Sequence, residues 1–392
     1  MNVTSILRPE RKMSAWEKNL LGVKVERAYR LLPGLLAVAL LAWLSVWLSE
    51  YIGVDVMEFE KTPISAVMMS IVIGLLIGNA IPLPEWLKPG FTFAVKKVLR
   101  LGIILLGIRL SIFDLFKLGA LGVPIVLLCV CSALFLTTRF NQWLKLPERL
   151  GILMAVGTSI CGVSAIVATG PAIDATDEEV AYAVAVITIF GILATLVYPY
   201  AAHAIFAGDA VKAGLFLGTS VHDTSQVTGA ALVFADLFSL PRALDVATVT
   251  KLVRNVFMAV VIPFMAFYHA RKTTSRARFA GRKAGAAKIF PLFIVGFLAC
   301  AALRSIGDAG INSGGHAFGL WDGATWQSIH GLFKSWAVNF LIVALAGVGL
   351  STRFKLLKSM GTKPFVVGLG AALTVGVVSW GAICALGTLV TF

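Results

Sequence analysis

Gly218-Thr219-Ser220-Val221-His222-Asp223-Thr224-Ser225-Gln226 interrupts an apolar stretch, with Ala213-Gly214-Leu215-Phe216-Leu217 before it and Ala230-Ala231-Leu232-Val233-Phe234 after it. Nine residues hold one ionisable pair and five further hydrogen-bonding side chains. At the centre of a membrane helix a charge costs at least about 2.5 to 3.5 kcal/mol, so such residues normally face a pathway or a partner. A loop dipping toward the surface is the plain alternative.

The rest of the chain makes the membrane reading general. Of 392 residues 58% are hydrophobic and 14% charged, against about 45 to 50% and 25% in soluble domains. The expected class is an all-α polytopic membrane protein. Apolar segments long enough to span fall at 31–51, 63–81, 93–110, 118–136, 150–173, 180–205, 211–234, 246–267, 289–306, 332–350 and 365–389, giving about 11 transmembrane helices. The formal charge of +14 fits anionic lipid and topology rules better than nucleic acid, because no basic, aromatic-interleaved soluble module is present. Basic clusters at 88–100, 139–149, 271–288 and 353–363 all become cytoplasmic when the N-terminus is inside. That arrangement puts the acidic stretches 50–60 and 174–179, and the C-terminus, outside. Residues 1–30 form a basic cytoplasmic tail that reads as an interfacial helix or a solvated segment, without the apolar core of a cleaved signal. The five cysteines lack metal-ligand spacing.

The fifth segment repeats the polar theme: Gly157-Thr158-Ser159-Ile160-Cys161-Gly162-Val163-Ser164. Glycine weakens a helix by about 1 kcal/mol relative to alanine, and unwound backbone survives at that depth only where it lines a cavity or protein interior. Both segments are therefore expected as discontinuous helices at mid-membrane, whose free N–H ends suit an anion and whose free carbonyls suit a cation. Close packing of small residues is the alternative. The shared Gly-Thr-Ser tripeptide, each followed by a helix expected to end at Pro199 or Pro263, reads as a local duplication or as convergent use of one polar turn. Weaker internal matches suggest inverted repeats, with halves at about 63–206 and 209–390 within a single transmembrane domain, 31–392. Two registers compete, one pairing the third segment with the tenth and one pairing the fifth with the tenth.

In the eighth segment Lys251, Arg254 and Asn255 share a helix face. Two cations there could balance a divalent oxyanion, or could snorkel or pair with Asp223 or Asp245. His222 and Asp223 form a candidate proton-handling pair. Arg100, Arg109, Arg304 and Lys334 read as snorkelling cations, with Arg109 and Ser111 as an alternative vestibule. Walker, zinc-protease, nucleophile-elbow and dinucleotide signatures are not found, so the expectation is a transporter driven by a gradient, not an enzyme.

The runs Gly157 to Ile166, Val221-His222-Asp223-Thr224-Ser225-Gln226-Val227 and Val249-Thr250-Lys251-Leu252-Val253-Arg254 resemble the YeiH-type sulfate exporter family of bacterial inner-membrane proteins, from about the second segment to the C-terminus. That family commonly has Glu at the position of Asp223 and a small apolar residue at that of Thr224. It is distantly similar to cation-proton antiporters and bile-acid symporters, whose fold of two inverted five-helix repeats implies crossing broken helices in the fifth and tenth segments. The implied function is export of sulfate, sulfite or a sulfonate by alternating access. The residues expected to bind substrate are Gly157, Thr158, Ser159, Ile160, Cys161, Gly162, Ser164, Gly218, Thr219, Ser220, Thr224, Ser225, Gln226, Lys251 and Arg254, with His222 and Asp223 as coupling groups. No metal or cofactor is expected beyond a coupling proton or sodium ion. The expected partners are a small anion and membrane lipid, with homodimerisation left open. A cation-coupled importer of a small organic anion and a non-transporting membrane subunit are the alternatives.

Overall fold

A computed structural model describes residues 17, 25–56, 65–272, 292–352 and 362–386. The helices are α1 (Leu32–Glu50), α2 (Ala66–Ala80), α3 (Lys88–Phe93), α4 (Leu99–Leu106), α5 (Ile112–Trp143), α6 (Glu148–Ser159), α7 (Val163–Thr169) and α8 (Asp177–Phe206). They continue with α9 (Ala210–Ser220), α10 (Thr224–Phe238), α11 (Arg242–Val256), α12 (Met258–Lys272), α13 (Leu292–Gly314), α14 (Gly323–Ser351) and α15 (Thr362–Leu386). A π-helical stretch, Ala94–Val98, joins α3 to α4, and a two-stranded ribbon, β1 (His316–Ala317) and β2 (Trp321–Asp322), joins α13 to α14.

All eleven apolar segments fall on helix, but they are not eleven crossings. Six helices are long and apolar enough to cross a membrane, or seven with the pair α11 and α12, bent by 40° at Phe257. The fifth and seventh segments turn back. A Cβ on Gly157 would lie 2.7 Å from Ile166 Cδ1, although a straight helix would hold those residues about 13 Å apart. Glu148, at the start of α6, is 3.5 Å from His269 near the end of α12, and α7 also packs on α12. The α6 and α7 arms thus enter from one end of the bundle and return to it. The α9 and α10 arms do the same from the opposite end. Gly214 abuts Ala243 and Val246, and Gly218 abuts Ala247 and Thr250, so α9 runs parallel to α11. The return arm α10 is antiparallel: Asn255 Nδ2 donates to Thr224 Oγ1 at 3.2 Å, and the Ala243 amide donates to the Leu240 carbonyl at 3.1 Å.

Arm length explains the turning back. At a rise of 1.5 Å per residue α6 reaches about 18 Å and α9 about 16 Å, little more than half of a roughly 30 Å hydrocarbon layer. Among the described residues, the candidate crossings are α1, α5, α8, α11 with α12, α13, α14 and α15, and α2 and α3 with α4 pack alongside α14.

The direction of α8 follows from its neighbours. A Cβ on Gly368, near the start of α15, would lie 2.3 Å from Val186, and one on Gly370 would lie 3.5 Å from Phe140 near the end of α5. The acidic stretch 174–179 therefore lies at the same end as the basic clusters 88–100 and 139–149, not at the opposite end as expected. Below, that end is called the basic end. Two more expectations are corrected. Pro199 and Pro263 lie inside α8 and α12 and terminate neither, and α14 runs unbroken through the tenth segment. Its Gly349 packs on α2, where an added Cβ would sit 2.6 Å from the Ile71 carbonyl; small residues there serve close helix packing. The interfacial-helix expectation for 1–30 lies largely outside the described residues, as do most of 271–288, 353–363 and the C-terminal residues 387–392.

The helices form two groups. α1 to α4, α13 and α14 pack on one another, with α2 lying along α14 and α4 between α13 and α14. The second group is α5 to α12 with α15, in which α11 lies along α9 and α15 along α5.

The re-entrant topology has a direct test. In a background lacking the native cysteines, Glu178→Cys should react with a membrane-impermeant maleimide from the same side as Lys145→Cys, and Ala207→Cys from the side of Leu320→Cys. The reverse pairing for Glu178 and Ala207 would restore eleven crossings.

Candidate functional site

The two hairpin tips meet inside the second group, and α11 joins them. Lys251 and Arg254 are 1% and 0% exposed, and among the described residues no carboxylate is bonded to either. Lys251 Nζ donates to the carbonyls of Ile160 (2.7 Å), Val221 (3.1 Å) and His222. Arg254 donates through Nε to Ser159 (2.6 Å), through one terminal nitrogen to Thr219 (2.5 Å) and Val221 (3.3 Å), and through the other to Thr158. Thr158, Ser159 and Thr219 are in the last turns of α6 and α9, and Ile160, Val221 and His222 directly follow those helices. A helix C-terminus leaves such groups without intrahelical partners and carries partial negative charge, and buried polar groups must be paired. Lys251 and Arg254 are therefore caps that bind both broken ends together. All three ammonium protons of Lys251 are engaged, which leaves none for an anion.

The hydroxyls expected to bind substrate also turn inward. Thr158 donates to Met154 O (2.8 Å), Ser159 to Val156 O (3.2 Å) and Ser220 to Phe216 O (2.5 Å), the back-bonding usual for these residues in helices. Thr219 bonds Leu215 O and, at 2.6 Å, Ser379 Oγ of α15. Gly157 and Gly218 are packing contacts, Cys161 Sγ lies 3.6 Å from Met258 Sδ, Thr224 serves Asn255, and Ser164 is exposed. His222 is fully buried, with neither ring nitrogen hydrogen-bonded to a side chain. None of these, nor Ile160, lines the cavity beside the tips.

That cavity, about 410 Å³, lies on the far side of the tips, between the two helix groups. From the hairpins come Val163, Asp223, Ser225 and Gln226; from α8, Thr188; from the other group, Lys96, Ser351 and Thr352. Lys96, Ser351 and Thr352 belong to the basic end, so the cavity runs from there to mid-bundle. Asp223 is held firmly. Its Oδ1 accepts from the Ser225 amide (2.9 Å) and hydroxyl (2.6 Å), while Gln226 Oε1 accepts from the Asp223 amide (3.2 Å). This is a capping box on α10, and Gln226 is anchored in turn by donating to Thr188 O (3.0 Å). Gly162 completes the junction: its φ of +64° is one that L side chains rarely adopt, and a Cβ would sit 3.2 Å from Asp223 Oδ2.

Asp223, Ser225 and Gln226 are thus the expected residues that reach the cavity, whereas Lys251, Arg254 and the Gly-Thr-Ser runs build its floor from behind. Sequence reading missed Lys96, Thr188, Ser351 and Thr352. Lys96 sits in a basic cluster that topology alone explained, Thr188 is a single hydroxyl within the apolar run of α8, and Ser351 and Thr352 lie where α14 ends beside a basic cluster.

Comparison with known proteins agrees with the sequence resemblance. A family profile described as conserved hypothetical protein 698 matches residues 33–368. The chain is 31% identical over 320 residues to the UPF0324 membrane protein FN0533 of Fusobacterium nucleatum subsp. nucleatum, covering 81% of this chain and 89% of that one. It is 29% identical over 357 residues to the UPF0324 membrane protein SAG1125 of Streptococcus agalactiae serotype V, covering 91% and 98%. A UPF0324 membrane protein of Bacillus anthracis is 31% identical over 331 residues, covering 83% and 90%.

Proposed function

This chain belongs to the conserved hypothetical protein 698 family of multi-pass membrane proteins, and we propose that it is a secondary active transporter of a small oxyanion, working by alternating access. The observation that carries the reading is the cavity between two helix groups, ending on a pair of hairpin tips that enter from opposite ends. Because α11 binds both tips, the hairpins, α8 and α11 would travel together against α1 to α4, α13 and α14. A shift of one group past the other then closes the path to the basic end and opens one to the other end, a rocking of units around a central site.

With the basic clusters in the cytoplasm, the N-terminus is cytoplasmic, the C-terminus external and the cavity inward-facing, which suits export from a bacterial inner membrane. Sulfate, sulfite and a sulfonate fit the chemistry: Lys96 supplies a cation, and the Ser351 hydroxyl and the second amide proton of Gln226 supply neutral donors, while the hydroxyls of Ser225 and Thr352 are engaged by Asp223 and the Val348 carbonyl. Asp223 opposes an anion when ionised and admits one when protonated, which favours proton coupling. The same carboxylate supports a second reading, in which sodium held by Asp223 and Gln226 drives import of a small organic anion.

Uptake of radiolabelled sulfate and sulfite by proteoliposomes, under imposed pH and sodium gradients, decides between these. The expected result is saturable flux driven by the pH gradient, with Lys96→Gln raising KM about tenfold at little cost in protein recovery. Flux that follows sodium alone would select the import reading. Absence of flux for every anion and gradient would favour a non-transporting subunit.

A further inference from the structure

A second cavity, about 520 Å³, opens on the flank of the molecule between α5 and α12, away from the hairpin tips. Toward the middle of the bundle its lining is apolar, with Cys131, Leu134, Phe264 and Met265, and toward its mouth it carries Thr138, Arg139, Gln142 and Tyr268. From Cys131 to Gln142 helix α5 rises about 16 Å, so the slot runs lengthwise along the flank of the bundle from a polar mouth to an apolar end. The mouth is at the basic end, where Glu148 and His269 meet.

Two arginines flank the mouth in matching ways. The Arg139 guanidinium lies 5.0 Å from the centre of the Phe135 ring, on α5, and that of Arg271 lies 4.5 Å from the centre of the Phe267 ring, on α12. Each ring holds its cation at the edge of the apolar surface, the position in which Arg reaches the headgroup layer. Among the described residues neither arginine forms an ion pair with a carboxylate. Trp143, 78% exposed one turn beyond Arg139, marks the interfacial level.

Two unneutralised cations above a long apolar slot match one ligand chemistry: an acyl chain below a phosphodiester of net negative charge. Basic pockets between transmembrane helices bind anionic headgroups for this reason. We propose that the groove between α5 and α12 is a binding site for one anionic phospholipid, its phosphate between Arg139 and Arg271 and one acyl chain beside Phe135 and Phe264. Since α12 also supports both arms of the α6 and α7 hairpin, the lipid would brace the helix on which that hairpin rests.

The test is native mass spectrometry of the full chain released from mixed micelles of dioleoylphosphatidylglycerol and dioleoylphosphatidylcholine. Retention of one phosphatidylglycerol should exceed that of phosphatidylcholine about tenfold. The double variant Arg139→Gln, Arg271→Gln should bring the two lipids level, and Lys145→Gln with Arg149→Gln, at the same end but outside the groove, should leave the preference intact. Arg139, Arg271 and Lys145 are exposed and Arg149 is half-buried, and monodispersity on size exclusion checks the fold. Equal retention of both lipids by the native chain would overturn the proposal. So would an equal loss in the two double variants, which would signify general surface attraction, or displacement of the lipid by millimolar inorganic phosphate, which would make the headgroup alone the ligand.

Discussion

Arg254→Met should yield almost no folded protein, and Lys251→Met should be nearly as damaging. Arg254 makes hydrogen bonds to four carbonyls and Lys251 to three, all inside the bundle. Hydrogen bonds to charged groups contribute about 1.5 to 3 kcal/mol each, and removing one partner of a buried charged network costs about 3 to 5 kcal/mol, a large share of a total stability of roughly 5 to 15 kcal/mol. Arg254→Lys should be intermediate, because one ammonium offers three donors and lacks the planar fork that spans both helix ends. The readout is the monodisperse fraction on size exclusion in detergent, followed by thermal unfolding of whatever is recovered. Two roles for these cations separate cleanly here. A residue that only bound substrate could be replaced with loss of flux and an intact fold, so a stable, monodisperse Arg254→Met protein would sink the capping role.

The reason the sequence suggested an anion site at this point is instructive. Spacing places Lys251 and Arg254 on one face of a helix, and a polar break elsewhere implies free backbone groups. Both inferences hold in the structure. Spacing cannot say, however, whether the cations face a ligand or the carbonyls of the breaks themselves, since either partner satisfies the same charge. The capping reading needs the three-dimensional fact that Ser159 and Val221 come within reach of one guanidinium.

A related ambiguity hid the hairpins. Segments 150–173 and 211–234 each have the length of one span, and a polar centre fits a broken helix that continues as well as one that turns back. The deciding signal would be the side on which 174–179 lies, but acidic residues bear only weakly on topology, and the loop at 207–209 is too short to carry a charge bias. Each hairpin removes one crossing, so α8 alone reverses direction and every basic cluster stays where the positive-inside pattern puts it. The membrane class, the two breaks and the place of Asp223 at one of them were legible because polar residues inside apolar runs are costly wherever they occur. The cavity wall formed by Lys96, Thr188 and Ser351 was not, because it assembles from elements that share no local pattern.

Asp223→Asn should separate coupling from folding. Asparagine is as good an N-cap as aspartate, and its side-chain carbonyl can accept from the Ser225 amide and hydroxyl as Asp223 Oδ1 does. The Gln226 side chain would still close the capping box on the backbone, so recovery and thermal unfolding should stay within about 1 kcal/mol of the native chain. What disappears is the one carboxylate among the described residues that line the cavity, and with it the group that could carry a proton. Flux driven by a pH gradient in proteoliposomes should fall about a hundredfold, while counterflow exchange of labelled for unlabelled substrate, which needs no net proton movement, should persist. A well-folded variant that still accumulates substrate against a pH gradient would remove Asp223 from the coupling step and move attention to His222, the buried imidazole beside it. Loss of exchange together with driven flux would instead make the carboxylate part of substrate binding, which favours a cation as the species that Asp223 holds.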